Sequence, residues 1–252
     1  MNRLFFTSGH ICELGCVYCF SKFNEEKLPV INFESVASAS NMIIYPACDG
    51  ELFLDANLIS FFDEYIQKSS GCNVFSFSTK RMLDDADLLY IKSLNDKMSV
   101  SKKGQIKLSI SITTKTMVDQ IEPNAASYYD RLALAKKIVE LGIPSSVMLK
   151  PVLPFVPIDE FREIVDDFCA IGINSFITGD LYVEPDSVFF RKYIENSPWT
   201  IKRKKVSWLK SKPTWTSVDS SVDLITEIKQ YIREIGAHHY DSDQEFINLN
   251  LF

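Results

Sequence analysis

The chain has 252 residues, is 46% hydrophobic and 24% charged, and carries a net charge of −6. That is the make-up of one large α/β domain or two small ones with an ample core, and the negative balance excludes a broad electrostatic attraction to nucleic acid. No export signal or membrane anchor is expected: the opening apolar run has no cleavage site, and no uncharged apolar stretch approaches the roughly 20 residues of a spanning helix. Six cysteines in a chain expected to be cytoplasmic point to thiols or metal ligands over disulfides.

Short β-like runs alternate with helical patterns. "RLFFT" (3–7), "NMIIYPA" (41–47), "NVFSFSTK" (73–80), "IKLSISITT" (106–114), "SSVMLKPVLP" (145–154) and "NSFITGDL" (174–181) read as six strands. "DDADLLYIKSL", "SYYDRLALAKKIVELG" (127–142) and "IDEFREIVDDFCAIG" (158–172) have helical spacing, the second closed by Gly142 and stopped by Pro144. Six βα units predict an α/β fold with a parallel sheet, a partial (β/α)6 barrel over residues 1–192. Residues 193–252 form a short C-terminal extension: a basic, aromatic stretch and an amphipathic helix, "SSVDLITEIKQYIREIG" (220–236). In such folds ligands sit at the carboxyl ends of the strands, where the cysteine loop, Cys48-Asp49-Gly50-Glu51 and Thr79-Lys80 fall.

"ICELGCVYCF" (11–20) places Cys12, Cys16 and Cys19 within eight residues. Two readings compete. With His10 the three thiols give four ligands for zinc, although a structural zinc site usually joins two distant ligand pairs. A [4Fe–4S] cluster takes one thiolate per iron, so three cysteines leave one iron open for chemistry.

The loop resembles the radical S-adenosylmethionine (SAM) superfamily, whose signature C-x3-C-x-aromatic-C is matched by Cys12, Cys16, Tyr18 and Cys19. The resemblance covers about residues 3–181. It implies that SAM chelates the open iron of a [4Fe–4S] cluster and is cleaved to a 5′-deoxyadenosyl radical that takes hydrogen from a substrate. It also implies an external electron donor such as flavodoxin or ferredoxin. On the resemblance Asp49, Gly50 and Glu51 stand where the superfamily binds the SAM ammonium, and Lys80 pairs with the SAM carboxylate. Ser109 and Ser111, on one face of the fourth strand by its period of two, bond the ribose or methionine end. The alternatives are an ordinary turn, a solvated lysine and strand hydroxyls without function.

"IEPNAASYYDRLALAKKIVELGIP" (121–144) resembles the spore photoproduct lyase branch. On that match Glu122 and Arg131 help hold SAM, and Pro151 and Val152 lie against adenine; otherwise Arg131 salt-bridges a carboxylate such as Glu122 or Asp130, and the other two pack the core. Cys48 matches the lyase's hydrogen-donating cysteine, or else is a small buried residue. Tyr18 matches one of the two tyrosines that relay hydrogen there, but Phe20 stands in place of the second. The branch is therefore carried over and the DNA-repair reaction is not. Lys202, Arg203, Lys204, Lys205, Lys210 and Lys212, with Trp199, Trp208 and Trp215 nearby, suit a nucleotide or a single strand, or else form a solvated loop. The expected substrate is a nucleobase, nucleotide or nucleic acid; the rivals are a small metabolite or peptide substrate, or a non-catalytic zinc- or cluster-binding protein.

Overall fold

A computed structural model describes residues 2–19, 21, 28–52, 54–205 and 214–251. Strands β1 (Asn2–Phe5), β2 (Met42–Tyr45), β3 (Asn73–Thr79), β4 (Gly104–Ser111), β5 (Ser145–Leu149), β6 (Ser175–Thr178) and β10 (His238–Tyr240) form one parallel sheet in that order. It is curled into a half-barrel. Helices α1 (Phe33–Val36), α2 (Ala56–Lys68), α3 (Asp85–Val100), α4 (Val118–Ile121), α5 (Tyr128–Glu140), α6 (Ile158–Ala170) and α7 (Val188–Tyr193) connect the strands. The remaining elements are β7 (Tyr182–Val183), β8 (Ile201–Lys205), β9 (Thr214–Val218), α8 (Ser220–Glu234) and α9 (Asp243–Asn250).

Local chemistry sets the helix starts. Asp55 caps α2 by accepting from the Leu58 N–H (2.8 Å), Asp84 caps α3 through Asp87 N–H (2.8 Å), and Ser127 caps α5 through Asp130 N–H (3.1 Å). Helix α6 buries Phe161, Ile164, Val165 and Phe168 on one stripe; each such side chain contributes about 1.5–3 kcal/mol. Strands β3 and β4 are buried on both faces, as a covered parallel sheet requires.

The sequence reading has six strands, whereas the sheet has seven. Helix α8 packs against α6 and leads into β10, which pairs with β6 in the register His238↔Ser175 to Tyr240↔Ile177. Three residues are too short to show a period. The same reading names no helix between the second and third strands, where α2 buries Leu58, Phe61, Phe62 and Tyr65. Between β6 and α8 the chain inserts an antiparallel sheet in the order β7-β9-β8.

Two cores result. The larger lies between sheet and helices; the smaller lies inside the curl, where Phe246 and Ile247 of α9 pack on Ile43, Val74, Ile177 and Tyr240. The last helix thus fills the base of the lumen. At the start of β4, Gly104 has φ +119°, and a Cβ there would lie 1.7 Å from the Asn73 carbonyl oxygen. Gly104→Ala is expected to cost at least the roughly 1–3 kcal/mol of a strained backbone, read as a lower urea midpoint.

Candidate active site

The loop after β1 is fastened to residues 121–124. Val17 N–H donates to the Ile121 carbonyl (2.9 Å), Asn124 N–H to the Leu14 carbonyl (3.2 Å), and Asn124 Nδ2 to the Glu13 carbonyl (2.7 Å). Gly15, at φ +68°, makes the left-handed turn against Pro123. The turn after β2 leans on the same loop: a Cβ at Gly50 would lie 3.9 Å from the His10 carbonyl oxygen and 4.0 Å from Cys12 Cβ. Cys12, Cys16, Cys19 and the Asp49-Gly50-Glu51 turn therefore meet at one mouth of the half-barrel.

No disulfide joins any of the six cysteines. Burial first, then the Glu51 and Cys19 charges, raise the Cys12 thiol against the pull of the Leu14 backbone and Lys80. Cys16 is pushed up to about 11 by burial, with Lys80 opposing and Glu122, Cys19 and Cys12 adding. The thiols thus lie within reach of one another's charge. Among the described residues no three of His, Cys, Asp and Glu converge as ligands of one metal ion would. His10, the fourth ligand of the zinc reading, bonds Asp55 Oδ2 through Nε2 (2.8 Å). A spread set of three soft donors on one loop suits a cluster that takes one thiolate per iron.

Lys80 stands at the centre of the mouth. Its backbone N–H donates to both Glu51 carboxylate oxygens (3.2 and 3.1 Å), and its ammonium lies 4.0 Å from Glu122 Oε1 and 5.8 Å from the centre of the Tyr18 ring. Glu51 also accepts from Thr79 Oγ1 (2.6 Å). Burial raises its carboxyl above the ordinary value although Lys80, Thr79 and Arg81 oppose it. Glu51, Arg81, Asn124 and Ala126 help line a cavity of about 380 Å³ beside the cysteine loop. An ammonium next to a carboxylate in such a mouth matches the two charges of an amino-acid zwitterion, so the residues present fit the methionyl end of SAM.

Glu122 is fully buried. It accepts from the Tyr18 hydroxyl and from Thr113 Oγ1 (2.7 Å), and Arg131 Nη1 lies 2.8 Å from its Oε2. Burial would raise the carboxyl, but Lys80, Arg131, Thr113 and Tyr18 together hold it below the usual range. Arg131, also fully buried, donates from Nη1 to the Ser111 carbonyl (2.8 Å). Its Nε and Nη2 have no hydrogen-bond partner among the described residues. The Glu122–Arg131 pairing that the sequence reading held as an alternative is thus present, and it joins α5 and β4 to the aromatic of the cysteine motif. Tyr18 spends its hydroxyl on Glu122, a contact absent from the sequence reading.

Ser109 is buried and bonded to Lys107 and to Ser146 Oγ (3.1 Å), deep in the lumen. Ser111 makes a long contact, 3.5 Å, to the Lys150 carbonyl. Pro151 is half-buried, and Val152 is buried with its N–H on the Gly179 carbonyl (2.9 Å). Cys48 is exposed, with its backbone N–H on the Phe6 carbonyl (2.9 Å). The protein around it still pushes its thiol up to about 12, with Asp49 adding and Arg3 opposing. Both hold for a residue in a concavity, reached by solvent yet surrounded by protein.

Away from the mouth, β8 is exposed along its length; Lys202 pairs with Asp219 and Lys204 with Asp180. Trp199 packs 6.2 Å from the Phe155 ring. Phe20, Trp208, Lys210, Lys212 and the Trp215 side chain lie outside the described residues. Lys107, Asp243, Arg3 and Lys150 are polar lumen residues that the sequence reading missed. The available signal was Lys107, a charge two residues before Ser109 in a strand with no other charged residue.

The curled parallel sheet, with the cysteine loop after its first strand, has the fold of a partial barrel of the radical SAM type. No protein-family model matches the chain, and no curated protein matches it. Among solved structures it is similar to a spore photoproduct lyase mutant, at 14% identity and a TM-score of 0.60 over 90% of this chain and 72% of that one. A double mutant of that lyase with bound AdoMet and dinucleoside spore photoproduct gives 13% and 0.59, over 90% and 73%. Streptococcus suis SuiB bound to S-adenosylmethionine gives 12% and 0.56, over 95% of this chain and 49% of that one. At these identities the likeness is one of fold.

Proposed function

We propose that the chain is a radical SAM enzyme that acts on a nucleobase, nucleotide or nucleic acid. The observation that carries this reading is the three-cysteine loop fastened at the mouth of this fold, with Lys80 set between Glu51 and Glu122 and its charge on Cys12 and Cys16. When bound to Cys12, Cys16 and Cys19, a reduced [4Fe–4S] cluster supplies the electron that cleaves SAM to methionine and a 5′-deoxyadenosyl radical.

The chain's own residues do the positioning. Lys80 pairs with the SAM carboxylate, and the Asp49–Glu51 turn, through Glu51 and backbone carbonyls, receives the ammonium. Pro151 faces adenine with Val152 packed behind it in the core, and Ser111 lies at the same strand end. Glu122 and Arg131 hold Tyr18 and so fix the loop that carries Cys16 and Cys19. Cys48 is the hydrogen donor to the substrate radical, and a thiol pushed up to about 12 keeps its S–H at neutral pH. An external donor of the flavodoxin or ferredoxin class supplies electrons, and the thiols call for a reducing, cytoplasmic setting. The substrate class rests on the likeness to a lyase structure with bound dinucleoside spore photoproduct. Among the described residues no helix is long and apolar enough to cross a membrane.

The reading is tested by SAM affinity, measured by equilibrium dialysis on the anaerobically reconstituted protein. Lys80→Met is expected to weaken binding about tenfold or more, the worth of a charge-assisted contact. A wild-type protein that binds no SAM contradicts the reading.

A further inference from the structure

The register of the sheet places a second group of charges inside the curl, below the mouth. Arg3 pairs with Ile43 and Phe5 with Tyr45; Ile43 and Tyr45 belong to the lumen core, so Arg3 and Phe5 share that face. On β5, Ser146 bonds Ser109 and Met148 packs on the lumen core; Lys150 follows at the same period of two. Arg3 and Lys150 therefore face one concavity from opposite parts of the curled sheet. The Arg3 charge reaches both the Lys150 ammonium and the Cys48 thiol.

The two carboxylates whose charge reaches Lys150 are already engaged. Asp243 is paired with Lys107 and accepts from Ser76 Oγ (2.7 Å), and Asp180 is paired with Lys204. Among the described residues neither Arg3 nor Lys150 has a carboxylate within ion-pair distance; Arg3 lies 5.5 Å over the Phe5 ring instead. Burial pulls the Lys150 ammonium below its ordinary value, Asp243 and Asp180 oppose from a distance, and Lys107 and Arg3 add to the fall. The neighbouring strand makes room for this lysine: a Cβ at Gly179 would come within 2.8–2.9 Å of Lys150 Cγ, Cδ and Cε. Two cations on the lumen face of the sheet, each outside ion-pair distance of a carboxylate among the described residues, form a place that an anion stabilises.

We infer that Arg3 and Lys150 form an oxyanion-binding site in the lumen, which takes the phosphate or carboxylate group of the substrate and sets the rest of it beside Cys48. The inference rests on the proposed function only in calling the anion a part of the substrate. The binding itself needs neither cluster nor SAM, so its failure is separable from failure of that reading.

The test is lysine footprinting of the full chain, by reductive dimethylation and peptide mass spectrometry. It compares saturating inorganic phosphate, saturating acetate and chloride at one ionic strength. Labelling of Lys150 is expected to fall about threefold or more in phosphate, in acetate or in both, as occupancy of a site dictates. Labelling of exposed Lys136 is expected to stay unchanged. Protection by phosphate alone names a phosphate-bearing substrate, and protection by acetate alone a carboxylate. Arg3→Gln, a change at an exposed position, is expected to fold with an unchanged melting temperature and to lose the protection. Equal Lys150 labelling in all three salts overturns the inference, as does protection that survives in Arg3→Gln.

Discussion

Glu122→Ala is expected to destabilise the protein by about 3–5 kcal/mol, the range for removing one partner of a buried ion pair. Both partners are fully buried, and Arg131 already has two N–H groups without partners among the described residues. Removing the carboxylate strands the guanidinium and takes the acceptor from Tyr18 and Thr113 together. Glu122→Gln separates these effects, since an amide oxygen still accepts from the two hydroxyls but leaves Arg131 uncompensated. If the charge dominates, Gln costs nearly as much as Ala, and the double variant Glu122→Gln/Arg131→Met recovers much of the loss. Urea unfolding of the metal-free protein reads all three; a loss below about 1 kcal/mol for Glu122→Ala, the range of an ordinary substitution, contradicts the account.

Asp243→Ala is the second large effect, also about 3–5 kcal/mol. Asp243 opens α9 inside the lumen and meets the ammonium of Lys107, which is fully buried; Ser76 and Tyr45 complete its bonds. Without it Lys107 is a buried cation with no counter-ion, and α9 loses its ion pair to β4. Lys107→Met/Asp243→Leu is expected to restore most of the stability, because an apolar pair replaces a charged one without a stranded partner.

The same site sets a pH dependence. Burial would raise the Asp243 carboxyl, but Lys107, Ser76 and Tyr45 outweigh it and hold it below the ordinary aspartate value. Burial also disfavours the Lys107 ammonium, yet a charged pair with every bond made is the state the geometry supports. A carboxyl lowered on folding adds stability above its unfolded value of about 3.9. That stability is lost as pH falls through the lower folded value. Asp243→Asn is expected to flatten this acid limb, seen as a weaker pH dependence of the urea midpoint.

The strands and the cysteine loop were legible because their signals are local. β3 and β4 carry apolar residues at every second position, Phe75 and Phe77 in the one and Ile106, Leu108 and Ile110 in the other, and three thiols in eight residues need no partner elsewhere to be noticed. What was not legible is carried by pairs far apart in the chain. Tyr18 and Glu122 are separated by 104 positions and Lys107 and Asp243 by 136, so neither leaves a spacing to read. The assignment of Ser109 and Ser111 to one face follows from strand geometry, yet only the fold shows that Ser109 is bonded to Lys107 and Ser146. Strand β10 escaped because "HHY" is too short to carry a period, and α9 because nothing local marks a polar-capped final helix as the filling of a barrel.

The central claim is that the loop at Cys12, Cys16 and Cys19 supports reductive cleavage of SAM. The direct measurement is 5′-deoxyadenosine, quantified after anaerobic reconstitution with iron and sulfide, reduction with dithionite and addition of SAM, with Cys16→Ala treated in parallel. The account predicts iron-dependent formation of the nucleoside by the wild-type protein and its loss in the variant. A colourless protein that carries zinc and forms no 5′-deoxyadenosine would contradict it.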